Sequence, residues 1–215
     1  MTAELSLRVR KKQRTRQLIH ETALRLFSER GFDEVTVAEV ARAAEVSVVT
    51  VFNYFPTKEA LFFSGQALFE EQIVEAVRQR QPGEAAVKAV RRLLLDGSRL
   101  STDAVAATIA KAARLIGASP TLQVAEREVV NRYTEELAAV LASETGADRD
   151  DIESWVVANA LMGLHRAFVA HVRRRATDGW HGPRLAADAR RVGERAFARL
   201  EIGLGAFALK GREDR

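Results

Sequence analysis

The nine residues "SVVTVFNYF", positions 47–55, decide the fold. They are β-branched and aromatic in a neighbourhood rich in Ala, Glu and Arg, and by composition they read as a strand. A strand needs a partner, and the rest of the chain shows no comparable alternation. A buried strand without one would leave its backbone N–H and C=O groups unsatisfied. Wound instead into a helix of about 3.6 residues per turn, the stretch divides into two faces. Ser47, Thr50, Val51, Tyr54 and Phe55 fall on one side; Val48, Val49, Phe52 and Asn53 fall on the other. Ser47 then stands where an N-cap belongs.

The flanking sequence supports the helix. Thr36 and Glu39 have the spacing of a capping box, which predicts a short helix with Val37, Val40, Ala41 and Ala44 on its inner stripe. Val46 plugs the turn that follows, and the linker 44–46 has the length of a helix-turn-helix. Upstream, Ile19, Ala23, Leu26 and Phe27 recur at helical spacing over 15–30, with Gly31 as a stop. Downstream, Pro56 ends the 47–55 helix and Thr57 offers a new N-cap for a long helix over 58–80. Breaks at Pro82 and Gly83, Gly117, Gly146 and Gly179 delimit further helices at 84–100, 103–116, 120–144, 148–175 and 183–209. The expectation is an all-α chain of nine helices without internal repeats.

Composition narrows the function. With 215 residues, 47% of them hydrophobic, the chain can bury a sizeable core. It has no cysteine, which removes disulfides, thiol nucleophiles and Cys-based metal sites and suits a reducing, cytoplasmic setting. No secretory signal pattern is visible, and the longest apolar stretch, near Trp155, is interrupted by Asn159 and is too short for a membrane span. The net charge is only +4, but Arg8, Arg10, Lys11, Lys12, Arg14 and Arg16 form a run with no acid among them. Read as more than a solvated tail, this run is an arm, disordered in the free protein, whose Arg10, Lys11, Lys12 and Arg14 neutralise phosphates.

The outer face of 47–55 points the same way. Three apolar residues and an amide, Val48, Val49, Phe52 and Asn53, would face water on a helix that has already buried its other side. A DNA major groove would use them: methyl-bearing and aromatic side chains meet thymine methyls, and Asn pairs bidentately with adenine. Ser47, Thr50, Tyr54 and Lys58 border this face and suit phosphate contacts that fix register, as does Thr36 at the start of the preceding helix.

The stretch "RLFSERGFDEVTVAEVARAAEVSVVTVFNYFPTKEALF" resembles the N-terminal domain of TetR-type (TetR/AcrR, tetracycline-repressor-like) transcriptional regulators. The matching elements run from Ala23, Leu26 and Phe27 through Gly31, Thr36, Val40, Ala41, Ser47, Thr50, Phe52 and Tyr54 to Lys58 and Leu61. The resemblance covers about a quarter of the chain. It implies a nine-helix architecture with an N-terminal three-helix helix-turn-helix domain (1–57, with its basic arm) and a C-terminal helical bundle (58–215) for ligand binding and dimerisation. It further implies a bacterial homodimer that binds a palindromic double-stranded operator and is released by a small molecule. An activator of the same fold is the alternative, and a helical protein-binding adaptor is a more distant one. Three departures stand out. Glu45 replaces a turn glycine, which predicts a less left-handed turn; Phe52 replaces a common Tyr; and Val48 and Val49 shift the helix from phosphate contact toward apolar readout.

The C-terminal region carries no motif. Its helices over 148–175 and 183–209 are apolar on more than one face, as a partner-binding helix would be. Ile109, Tyr133, Trp155, Asn159, Met162, His165 and Phe168 mix apolar bulk with few polar groups, as ligand sites do, and favour an apolar or aromatic effector. Nothing suggests an enzyme, a cofactor or a metal. None of the four histidines has the Glu-x-x-His spacing of a carboxylate di-metal site, and phosphate-loop, dinucleotide and nucleophile-elbow patterns are missing.

Overall fold

In a computed structural model, the backbone of residues 2–96 and 100–204 is described, with the side chains of 9–64, 69–96 and 100–203. Among the described residues nine α-helices follow in order: α1 Thr2–Arg30, α2 Val37–Ala43, α3 Val48–Tyr54, α4 Lys58–Arg78, α5 Ala86–Leu94, α6 Asp103–Ala118, α7 Pro120–Thr145, α8 Ile152–Thr177 and α9 Gly182–Leu204. A 3₁₀ turn at Leu100 brings the helical segments to ten, one more than expected. No strand occurs among the described residues.

The sequence set most helix ends within a few residues, with two corrections. α5 stops at Leu94, short of the expected 100, and residues 97–99 lie outside the described part, as do positions 205–209 of the last helix. The larger correction is at the start. α1 does not begin near residue 15 but continues back to Thr2, so the basic run is helical. The physical reason is composition: residues 2–14 contain neither Gly nor Pro, and Lys, Arg, Leu and Gln are good helix formers.

The chain divides into two compact units. One comprises Met1–Ala67 with Leu115–Glu126; the other comprises Leu68–Arg114 with Arg127–Arg215. The division brings residues 115–126 into the first unit.

The first unit is built on aromatic packing. Phe27, Phe32, Phe62 and Phe63 are buried, with ring centroids 4.9 Å apart for Phe27–Phe32 and 6.1 Å for Phe32–Phe62. Such tilted pairs add roughly 1 kcal/mol each to the burial of the rings. Gly31, at φ 92°, ends α1 in the left-handed region that glycine adopts without strain. His20 ties α1 to α4, its Nδ1 lying 2.8 Å from the Leu61 carbonyl oxygen and 2.9 Å from Ser64 Oγ. Burial holds this imidazole below its ordinary pKa.

In the second unit, α8 and α9 are joined through the buried Asp188. Its carboxylate meets His171 Nε2 at 2.7 Å and Arg175 Nε at 3.4 Å, and also accepts from Arg191. Burial alone would raise the Asp188 pKa, but the hydrogen bonds from His171 and Arg191 outweigh it and hold the carboxyl below its usual value. Arg80 is enclosed between α4 and α7. It donates to the carbonyls of Val77 and Glu84 and pairs with Glu144 at 2.5 Å.

Candidate nucleic-acid interface

The helix-turn-helix is set by three local devices. The first is the capping box on α2: the Glu39 amide donates to Thr36 Oγ1 at 3.2 Å, and the Thr36 amide donates to Glu39 Oε2 at 2.8 Å. The Thr36 hydroxyl also donates to Glu39 Oε2, and Arg30 pairs with the other carboxylate oxygen at 2.7 Å. These hydrogen bonds, the backbone amide of Thr36 first, lower the Glu39 pKa to about 2.

The second device is the turn. The Val46 amide donates to the Ala41 carbonyl at 2.9 Å and the Glu45 amide to the Arg42 carbonyl at 3.2 Å. These paired bonds make a Schellman ending, which needs a left-handed residue at its centre. Glu45 supplies it at φ 54°, the one positive value found at a described residue other than glycine. The expectation of a less left-handed turn is therefore corrected: the two backbone bonds and the half-buried Val46 hold the geometry against the steric preference of the side chain.

The third device is the Ser47 cap. Its Oγ accepts from the Thr50 amide at 3.0 Å and lies 2.7 Å from Thr50 Oγ1. With α3 so started, its two faces separate as the sequence indicated. Val51 and Phe55 are buried, Thr50 and Tyr54 half-buried. Val48, Val49 and Phe52 stand 39%, 69% and 46% exposed, and Asn53 is exposed beside them. Packing inside the unit does not account for this face.

Around it the cations and hydroxyls are less uniform. Arg10, Lys11, Lys12 and Arg14 are exposed along α1. Lys58 is folded back, its Nζ 3.3 Å from the Asp33 carbonyl oxygen and 4.4 Å from the centre of the Phe32 ring. Thr36, although exposed, has both its amide and its hydroxyl hydrogen engaged by Glu39. A phosphate would have to draw Thr36 and Lys58 out of these contacts. Sequence reasoning placed Arg16 in the basic run but not over the Phe55 ring, where its guanidinium lies 5.1 Å from the centroid, and it missed Ser119, whose Oγ donates to Asp33 Oδ1 at 3.1 Å. Its partner is 86 positions away in sequence, and no local pattern signals such a bond.

The seven residues expected to line a ligand site differ in their surroundings. Ile109 and Phe168 pack on a small core of Ala106, Ala110, Val172, Ala176, Leu185 and Ala189. Tyr133, Met162 and His165 are buried, whereas Trp155 is half-buried. Asn159 is exposed, its Nδ2 donating to the Trp155 carbonyl at 2.8 Å. It shares the outer side of α8 with Ile152 and Val156, 75% and 58% exposed. On a helix apolar on two faces, periodicity does not tell which face is inside. Missed altogether were Phe69 and Glu70, which flank His165.

Comparison with known proteins agrees with this geometry. The family model described as bacterial regulatory proteins, tetR family, matches residues 19–64. The HTH-type transcriptional regulator TcmR of Streptomyces glaucescens is 30% identical over 152 residues, 67% of this chain and 66% of its own length. LuxR of Vibrio harveyi is 50% identical over 46 residues, 21% of this chain and 22% of its own. The chain thus spans just under two thirds of TcmR and about a fifth of LuxR. Among solved structures, a TetR-family regulator from Mesorhizobium loti has a TM-score of 0.52 at 20% identity, covering 89% of this chain and 96% of that one. NalD of Pseudomonas aeruginosa, the secondary repressor of the MexAB-OprM efflux pump, has a TM-score of 0.51 at 20% identity, covering 88% and 96%. The capped α2 and α3, the left-handed turn between them and these matches together show that the chain belongs to the tetR family of bacterial regulatory proteins.

Proposed function

We propose that this chain is a ligand-responsive transcriptional repressor that binds a palindromic operator as a homodimer and leaves it when a small molecule binds. The observation that carries the reading is the outer face of α3. It presents Val48, Val49, Phe52 and Asn53 to solvent on a helix fixed at its start by Ser47 and on its other side by Val51 and Phe55. In this reading residues 1–57 read DNA and 58–215 bind ligand and partner. The exposed Ile152 and Val156 of α8 and the 84% exposed Ile202 of α9 support a second copy of the chain as partner. Two α3 helices would then enter successive major grooves about 34–36 Å apart. No described helix is long and apolar enough to cross a membrane, and the proposed site of action is the bacterial cytoplasm.

The test is to select operator sequences with the purified protein and compare variants on the best one. Asn53→Ala should cost roughly 1–3 kcal/mol and relax one base position in each half-site. Lys58→Ala should weaken all sequences alike and lower the salt dependence by about one phosphate per subunit. An Asn53→Ala protein with unchanged affinity and base preference would show that α3 does not read the bases.

A further inference from the structure

The exposed face of α3 offers a base edge more contact than hydrogen bonding. On a helix that turns about 100° per residue, Val48, Phe52 and Val49 follow one another within an arc of about 100°, and Asn53 lies at its border. The three are 39%, 46% and 69% exposed, and none carries a side-chain donor or acceptor. From Val48 to Phe52 the arc is about 6 Å tall, enough to meet more than one base pair. The neighbouring hydroxyls serve the helix itself: Ser47 Oγ accepts from the Thr50 amide and lies 2.7 Å from Thr50 Oγ1.

The chemistry of the major groove decides what such an arc can read. Every base pair presents hydrogen-bonding groups there, and thymine adds a 5-methyl group. Covering a donor or acceptor with valine or phenylalanine strips its water and returns no partner, which is a cost. Covering a methyl group is a gain, since apolar surface leaves water on both sides of the contact. Duplex DNA is the occupant that the surroundings select. Arg10, Lys11, Lys12 and Arg14 are exposed on α1 of the same unit, and the tetR family model spans residues 19–64, which include the arc.

We infer that α3 identifies the base pairs under this arc by the 5-methyl group itself, on 5-methylcytosine as well as on thymine. The half-site then carries thymine at these positions, and methylation of a cytosine placed there strengthens binding. The inference rests on the reading of α3 as the base-reading helix. It differs from hydrogen-bonded readout in what it ignores. Thymine and 5-methylcytosine share the methyl group but oppose each other at position 4, where one offers an acceptor and the other a donor.

The experiment uses the full-length protein and the operator duplex selected with it. At each thymine of the half-site in turn, deoxyuridine removes the methyl group and nothing else. In a parallel series each T·A pair is replaced by C·G or by 5-methylcytosine·G. Under the arc, uracil should bind about fourfold more weakly than thymine, and 5-methylcytosine about fourfold more tightly than cytosine. Each difference should disappear in one of Val48→Ala, Val49→Ala and Phe52→Ala, and the DNA series on the unmodified protein stands if a variant fails to fold. A selected half-site without thymine, uracil bound as well as thymine at every position, or equal binding of cytosine and 5-methylcytosine would each overturn the inference. So would a methyl effect that survives all three substitutions, because it would then belong to DNA shape. Sequence-specific binding that depends on Asn53 and ignores methyl groups keeps α3 as the reading helix and removes this inference. Absence of sequence-specific binding removes both.

Discussion

At the scale of single residues, the turn between α2 and α3 holds an unusual choice. A left-handed residue is required there, because the Schellman bonds from Glu45 and Val46 to α2 close in no other way. Glu45 meets the requirement at φ 54° against the clash of its own Cβ. Glu45→Gly should relieve that clash. Part of the gain is returned as extra freedom of the unfolded chain, leaving a net stabilisation of about 0.5–1 kcal/mol. Urea denaturation measures it directly, and an unchanged or lower stability would mean that the Glu45 side chain makes compensating contacts. The same substitution removes an acid from the edge of a surface proposed to meet phosphates. Operator affinity should therefore rise, more at low salt than at high.

At the scale of elements, two helix starts make different predictions. α2 begins in a capping box whose Glu39 titrates at about 2. A carboxyl held so far below its unfolded value contributes stability that is complete above that unfolded value, near pH 4.3, and is lost as pH falls through the folded value. The carboxyl carbon of Glu39, followed by NMR, should titrate with a midpoint near 2, and the midpoint should move up toward the ordinary range in Thr36→Ala. α1 has no such device, and its extension to Thr2 depends on composition and on cations spread along an exposed face. Removing residues 1–12 should lower helicity by circular dichroism, because that stretch is helical rather than a loose arm. It should also weaken binding to operator and to random DNA by similar factors, since phosphate contacts carry little sequence information. Unchanged affinity for both would rule out this face of α1. What the sequence disclosed follows the same division. Caps, stops and the two faces of α3 depend on neighbours within about one turn, so Thr36, Glu39, Ser47 and Gly31 were legible. The N-terminal extension was not, because a run of like charges suggests a repelled tail as readily as a helix. The inward side of α8 was not legible either: Trp155, Asn159 and Val156 differ from Leu161 and Met162 in burial and not in periodicity.

At the scale of the whole molecule, the notable fact is which parts of the chain share a unit. Residues 115–126, from the end of α6 and the start of α7, belong to the same unit as α1, α2 and α3. They are held there through Ser119, 2% exposed, which accepts from the Leu122 amide at 3.2 Å and donates to Asp33 at 3.1 Å. The carbonyl of the same Asp33 accepts from Lys58. A phosphate that draws Lys58 away thus acts on a residue that also anchors 115–126. Any binding event that shifts these two helices acts on Asp33 in return, since coupling between sites is reciprocal and is typically about 1–3 kcal/mol. Operator DNA should therefore change hydrogen exchange at the Leu122 amide, which the Ser119 hydroxyl caps. Ser119→Ala should abolish that response while leaving operator affinity within a few-fold, because Ser119 lies outside the reading face of α3. If exchange at residues 119–123 responds to DNA equally with and without the Ser119 hydroxyl, the Ser119–Asp33 bond is structural and carries no signal.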